Sequence, residues 1–151
     1  MPPPTVRPTR FLLAEDDDDH AELVIRTFAR RQPAHVLDRV NDGEAALRYL
    51  NRQAPFERVE RPEVVLLDLN LPRLSGHEVL SAMKADDELR LIPVVVLTSS
   101  EDRGDRLRAY QRYVNSYVVK PLNFSHFQQL IRDVCDYWTG WDAHLPPTRP
   151  V

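Results

Sequence analysis

The sequence lacks the means for several common designs. A single cysteine, Cys135, excludes a disulfide framework and a cysteine-built metal site. No apolar run approaches the roughly 18 residues that cross a bilayer. The first residues, Met-Pro-Pro-Pro-Thr-Val-Arg-Pro, contain no apolar signal-peptide core. Charge of one sign is also missing: 20 basic against 23 acidic residues leave a balance of −3, which points away from nucleic acid and other polyanions. The histidines at 20, 35, 77, 126 and 144 are scattered without metal-ligand spacing and read as surface residues. These absences leave a soluble cytoplasmic protein, held to neither membrane nor nucleic acid, as the expectation.

What remains suffices for one domain. In 151 residues, 42% are apolar, enough for a buried core. Four of the 13 prolines fall in residues 2–8 and three in 146–150, so both ends are expected to be extended or disordered, the N-terminal tail over residues 1–8. Between them, short apolar runs alternate with helical periodicity. The runs are Phe11–Ala14, Val36–Val40, Val64–Leu67, Val94–Leu97 and Tyr117–Val119. Three are continuously apolar and rich in β-branched residues, as in strands buried on both faces. Ala21, Val24, Ile25 and Phe28 recur with helical spacing, as do Phe127, Leu130, Ile131 and Val134. Ala46, Leu47 and Leu50, then Val79, Leu80 and Met83, predict two shorter helices, and Leu107 with Tyr110 a weaker one. Ser75-Gly-His-Glu78 reads as a capping box. Asp17 is expected to top the first helix, and Ser99 or Ser100 the fourth. Strand and helix thus alternate five times, which predicts an α/β domain around a parallel sheet.

In such sheets ligands bind beyond the carboxyl ends of the strands. Those positions hold Glu15 to Asp19 after the first run, Asp68-Leu-Asn70 after the third, Thr98-Ser-Ser100 after the fourth and Lys120-Pro121 after the fifth. Each alone has an ordinary structural reading: a solvated helix start, a turn residue, a loop. Together they define chemistry. Converging carboxylates repel one another until a hard divalent cation joins them, and oxygen ligands favour magnesium or manganese over zinc. A carboxylate beside such an ion can attack phosphorus, with a lysine and a hydroxyl holding the remaining oxygens. Asp68, delivered by a central strand, is the expected nucleophile, and the product would be an aspartyl phosphate.

Over about residues 9–138 this set resembles the receiver domain of bacterial two-component response regulators. The resemblance rests on Glu15-Asp16, on Asp68-Leu-Asn-Leu-Pro-Arg-Leu-Ser-Gly76, on Thr98 and on Tyr117-Val-Val-Lys-Pro121. It implies a doubly wound, flavodoxin-like sheet in the order 2-1-3-4-5 with helices on both faces. Asp68 would accept phosphate from a phosphohistidine of a sensor histidine kinase. Magnesium would be held by Asp16, Asp68 and the Asn70 carbonyl, with Glu15 acting mainly through water or charge. Lys120 would pair with Asp68, Thr98 and Tyr117 would switch on phosphorylation, and Lys120–Pro121 would be cis. Ser100 would tune dephosphorylation. His20, Leu23 or Val24, Pro121 and Leu122 would dock the kinase.

Residues 139–151 would form an extension, with no output domain following. Leu91–Thr98, the connection from Gln53 to Pro62 and the aromatic C-terminal segment look like the stand-alone regulators that accompany phytochrome-type kinases. Trp138 and Trp141 continue the stripe of the last helix, and with no evident partner inside the domain they suggest a homodimer. Two other readings compete. A haloacid-dehalogenase-type phosphatase would need a second aspartate where Asn70 stands. A degenerate receiver that only binds partners would not need the full acid set and Lys120.

Overall fold

A computed structural model of the chain describes residues 8–31 and 35–141, with side chains through residue 139. The expected N-terminal tail and C-terminal extension lie almost wholly outside those residues, as do His144 and the side chain of Trp141. Five strands and five helices alternate: β1 (Arg10–Ala14), α1 (Asp18–Ala29), β2 (Val36–Val40), α2 (Gly43–Leu50), β3 (Val64–Leu67), α3 (Gly76–Ala85), β4 (Val94–Thr98), α4 (Arg103–Gln111), β5 (Ser116–Val119) and α5 (Phe124–Asp136). All strand pairs are parallel, in the order β2-β1-β3-β4-β5. This is the expected doubly wound sheet.

Burial explains the order. Every residue of β3 and β4 is buried, and these two strands, with β1, form the centre. The edge strands β2 and β5 are mostly half-buried and carry the polar Asp38, Arg39 and Ser116. Alternate residues of the central strands feed two cores. Leu12, Val65, Leu67 and Val94 face Tyr49, Leu50, Leu80 and Met83 from α2 and α3. Phe11, Leu13, Leu66 and Val95 face Phe28, Phe127 and Ile131 from α1 and α5. The strands therefore open all their carboxyl ends on one edge, between two packed layers.

Each helix starts on a side-chain cap that accepts a backbone N–H: Asp17 from His20, Asp42 from Ala45, Ser75 from Glu78, Asp102 from Asp105 and Asn123 from His126. Asp17 and Ser75 cap as expected. Neither Ser99 nor Ser100 caps α4; Asp102 does, and the Ser100 hydroxyl accepts the Asp102 N–H instead.

Four expectations need correction. Ile25 is exposed on α1, and Leu23 and Thr27 are buried in its place, because the helix packs against both the sheet and α5. Leu107 and Tyr110 face outward, and α4 buries only Ala109. The Lys120–Pro121 bond is trans, whereas Ala54–Pro55 is cis; an X–Pro amide holds its two isomers close in free energy, so the dipeptide alone does not assign one. Finally, Trp138 is 6% exposed and packs in the α1–α5 core, on a wider helical turn that runs on from α5. Trp138, one of the two tryptophans that suggested a dimer, has its partner inside the domain.

Candidate phosphorylation site

Backbone hydrogen bonds bring the strand ends together. The Asp68 N–H donates to the Ala14 carbonyl at 3.0 Å and the Lys120 N–H to the Thr98 carbonyl at 2.8 Å. Glu15, Asp16 and Asp68 then each offer a carboxylate oxygen within 4.8 Å of the others. Glu15 and Asp68 are buried, and Asp16 is exposed at the mouth. Lys120, 6% exposed, donates to Glu15 Oε1, to Asp68 Oδ2 at 3.2 Å and to His20 Nδ1 at 3.0 Å. The three N–H groups of the ammonium are thus all engaged. Asn70 is exposed beyond Asp68, and its N–H donates to Asp68 Oδ1 at 3.3 Å.

Burying these carboxyls divides their protons unequally. Burial, and then the hydrogen bond with Asp68, push the Glu15 carboxyl up to about 8. Burial would also raise Asp68, but the hydrogen bond from Glu15 and the charge of Lys120 outweigh it and hold Asp68 below the usual carboxylate range. Burial thus favours the neutral form of Glu15, and the ammonium alongside favours the charged form of Asp68. Glu15 Oε2 is buried without a hydrogen-bond partner. A hard divalent cation would displace the Glu15 proton and complete this set of one orphan oxygen and two further carboxylates.

Thr98 lies at the end of β4, fully buried, and its Oγ1 accepts the Ser100 N–H at 3.3 Å. Tyr117, half-buried on β5, donates its hydroxyl to the Ser100 carbonyl at 3.0 Å, and the Arg106 guanidinium lies 5.5 Å from its ring centre. A hollow beside Lys120 is lined by His20, Leu23, Pro121, Leu122, Phe124 and Phe127. Leu122 is fully exposed there, Leu23 is buried, and His20 meets Phe127 edge-on.

Sequence reasoning missed several polar contacts. His20 touches the lysine, His35 accepts the Thr9 N–H, and His77 Nε2 lies 3.1 Å from Asp105 Oδ1. These partners lie 100, 26 and 28 residues away in the chain, so no local pattern could signal them. Asp105 also accepts from the Ser100 hydroxyl at 2.6 Å and from Arg108 at 2.5 Å. The Ser100 hydroxyl first, then His77 and Arg108, hold the Asp105 carboxyl at about 2, well below its ordinary 3.8. A carboxyl depressed in the folded state contributes stability that is present above the unfolded value and lost as pH falls through the folded one. Urea unfolding compared at pH 5 and pH 2.5 should therefore show a smaller acid loss for Asp105→Asn than for the native sequence.

The comparisons with known proteins agree with this geometry. Residues 11–132 match the family model of the response regulator receiver domain. The chain is 44% identical over 140 residues to the probable methanogenesis regulatory protein FilR2 of Methanothrix harundinacea (strain 6Ac), covering 93% of this chain and 90% of that protein. It is 36% identical over 131 residues to the response regulator Rcp1 of Synechocystis sp. (strain ATCC 27184 / PCC 6803 / Kazusa), covering 87% and 89% of the two. The crystal structure of Mn(2+)-bound Rcp1 superposes with a TM-score of 0.89 at 34% identity, over 92% of this chain and 100% of that one. The phosphorylated cyanobacterial phytochrome response regulator RcpA gives the same TM-score at 33% identity, over 91% and 99%. The chain belongs to the response regulator receiver domain family, and its relatives include stand-alone regulators of phytochrome signalling. Among the described residues, no helix is long and apolar enough to cross a membrane.

Proposed function

We propose that the chain is a cytoplasmic phosphoacceptor of a two-component system, taking a phosphoryl group onto Asp68 from a histidine of a sensor kinase, with magnesium as cofactor. The observation that carries this reading is the placement of Asp68 at the mouth of the sheet, in contact with the Lys120 ammonium and within reach of two further carboxyls. An Asp68 oxygen attacks phosphorus, the P–N bond of the phosphohistidine breaks, and its electron pair stays on the imidazole. Glu15, Asp16, Asp68 and the Asn70 carbonyl would hold the magnesium ion, which supplies neutralisation of charge on the phosphoryl oxygens when bound. Lys120 turns from the carboxylate to a phosphoryl oxygen, and the Thr98 hydroxyl donates to another. Tyr117 moves with Thr98 because both are tied to Ser100. The protein acts on no separate substrate; it catalyses its own phosphorylation and dephosphorylation.

Acetyl phosphate with magnesium tests this reading. Intact mass should rise by one phosphoryl group, and a chelator should prevent it. Turnover of unrelated phosphate esters would favour a phosphatase instead.

A phytochrome-type kinase is the partner suggested by similarity to RcpA and Rcp1. Its helices would dock on the hollow beside the site, with His20, Leu23, Pro121 and Leu122 in contact. Leu122→Glu should slow transfer from the kinase and leave acetyl phosphate labelling unchanged, since Leu122 is fully exposed and supports no core. Equal loss in both assays would refute docking there. Homodimerisation, with Trp138 withdrawn from its support, would rest on Leu107, Tyr110 and Tyr113, all exposed on or just after α4. Light scattering at micromolar concentration should then give a dimer mass that Tyr110→Glu lowers, and a monomer with and without acetyl phosphate would refute it.

A further inference from the structure

Helix α4 is attached in an unusual way. Its only buried residue is the small Ala109, so apolar burial contributes little to its position. Polar contacts replace it. Arg112 Nε donates to Ser81 Oγ of α3 at 2.5 Å, Arg106 lies over the Tyr117 ring, and Asp105 binds three partners at once. One Asp105 oxygen takes the Ser100 hydroxyl; the other takes Arg108 and His77 Nε2 of α3. A carboxylate only accepts, so Nε2 carries the ring proton. The His77 and Asp105 side chains are 16% and 22% exposed, which protects these contacts from water.

Ser100 is where this cluster meets the candidate site. Its N–H is bound to the Thr98 hydroxyl oxygen, its carbonyl to the Tyr117 hydroxyl, and its own hydroxyl to Asp105 and the Asp102 N–H. Thr98 cannot shift toward Asp68 without either parting from the Ser100 amide or drawing Ser100 along. Drawing Ser100 along means pulling its hydroxyl from Asp105. Tyr117 is restrained through the same residue. Thr98 and Tyr117, which would have to move on phosphorylation, therefore share one anchor through Ser100, and that anchor is a side chain on α4 braced against α3.

We propose that Asp105 is a positioning residue of the phosphorylation site: through Ser100 it holds Thr98 and Tyr117 in the unphosphorylated arrangement, with His77 as its brace on α3. The inference rests on the reading of Asp68 as phosphoacceptor. A phosphoryl group that binds only the rearranged site must work against this latch, and its apparent affinity falls by the fraction of molecules already released. Removing a hydrogen bond to a charged group shifts such an equilibrium by roughly tenfold.

The experiment measures steady-state labelling of the full chain at limiting acetyl phosphate and fixed magnesium, with urea unfolding of each variant alongside. Asp105→Ala and Ser100→Ala should each raise labelling several-fold, while their combination should add little beyond either, because they break one contact. His77→Ala should give a smaller rise, and Asp105→Asn, which keeps an oxygen for Ser100, should lie nearest the native protein. A residue that only stabilises the fold would lower the urea midpoint without raising labelling. Unchanged or reduced labelling in both Asp105→Ala and Ser100→Ala, with native-like unfolding, would overturn the inference and leave the phosphoacceptor reading intact. If Asp105→Ala fails to fold, the initial labelling rate of Ser100→Ala decides the matter, because that rate does not depend on dephosphorylation: a rise supports the latch and an unchanged rate overturns it. Native protein that takes no label, and so matches Asp68→Asn, would overturn both.

Discussion

Asp68→Asn is expected to abolish labelling by acetyl phosphate while leaving the fold in place. The amide matches the carboxylate in shape, and its single oxygen can still accept at one of the two contacts, from Lys120 at 3.2 Å or from the Asn70 N–H at 3.3 Å, which meet different oxygens of the carboxylate. What it removes is the anion. In the wild-type site the Lys120 ammonium favours the charged form of Asp68. An amide oxygen is a far poorer nucleophile toward phosphorus and cannot form an acyl phosphate. Replacing Asp68 also takes one of three carboxylates from the cluster, so divalent cation binding should weaken with it. Intact mass after exposure to acetyl phosphate and magnesium is the measurement. A variant labelled as fast as the native protein would place the phosphoryl group elsewhere.

The second large effect is expected at a position with no side chain of its own, at Gly76→Ala. Gly76 is the first residue of α3, and its N–H donates to the Leu69 carbonyl at 2.8 Å. That bond folds the loop after β3 tightly against the start of the helix. A Cβ on Gly76 would lie 2.3 Å from the Asp68 carbonyl oxygen and 2.6 Å from Leu69 Cα. Both are backbone atoms, so no side chain can swing aside to relieve the overlap. The loop must move, and Asp68 begins that loop. Overpacking of this kind costs about 1–3 kcal/mol. Gly76→Ala should therefore lower the urea midpoint and slow labelling together, unlike Asp68→Asn, which separates the two. Native labelling with native stability would show that the loop can absorb the methyl group without disturbing Asp68.

The strands, the helices and the polar set at one sheet edge were legible because each depends on local pattern. Val64–Leu67 and Val94–Leu97 are apolar throughout because both faces are covered, and that signature needs no knowledge of their neighbours. The side chains that follow an apolar run must emerge at its carboxyl end, so Glu15, Asp68, Thr98 and Lys120 could be gathered on one edge before any packing was known. The caps at Asp17 and Ser75 are equally local, since each acts within three residues.

Tertiary packing decided what local pattern could not. Ile25 and Leu23 both suit a buried helix face, and contact with α5 selected Leu23. Trp138 reads as surplus beyond a finished helix, yet the α1–α5 layer had room for it. His77 looked like a surface residue until α3 and α4 set it beside Asp105. The upward shift of the Glu15 carboxyl follows from burial and the nearness of Asp68, two conditions that exist only once the sheet has closed around them. The sequence by itself determined the strand and helix segments and which functional groups line the sheet edge, because these follow from residue type and short spacing. The tertiary structure alone decided which groups touch, which are charged and which are exposed, because those depend on contacts between residues tens of positions apart.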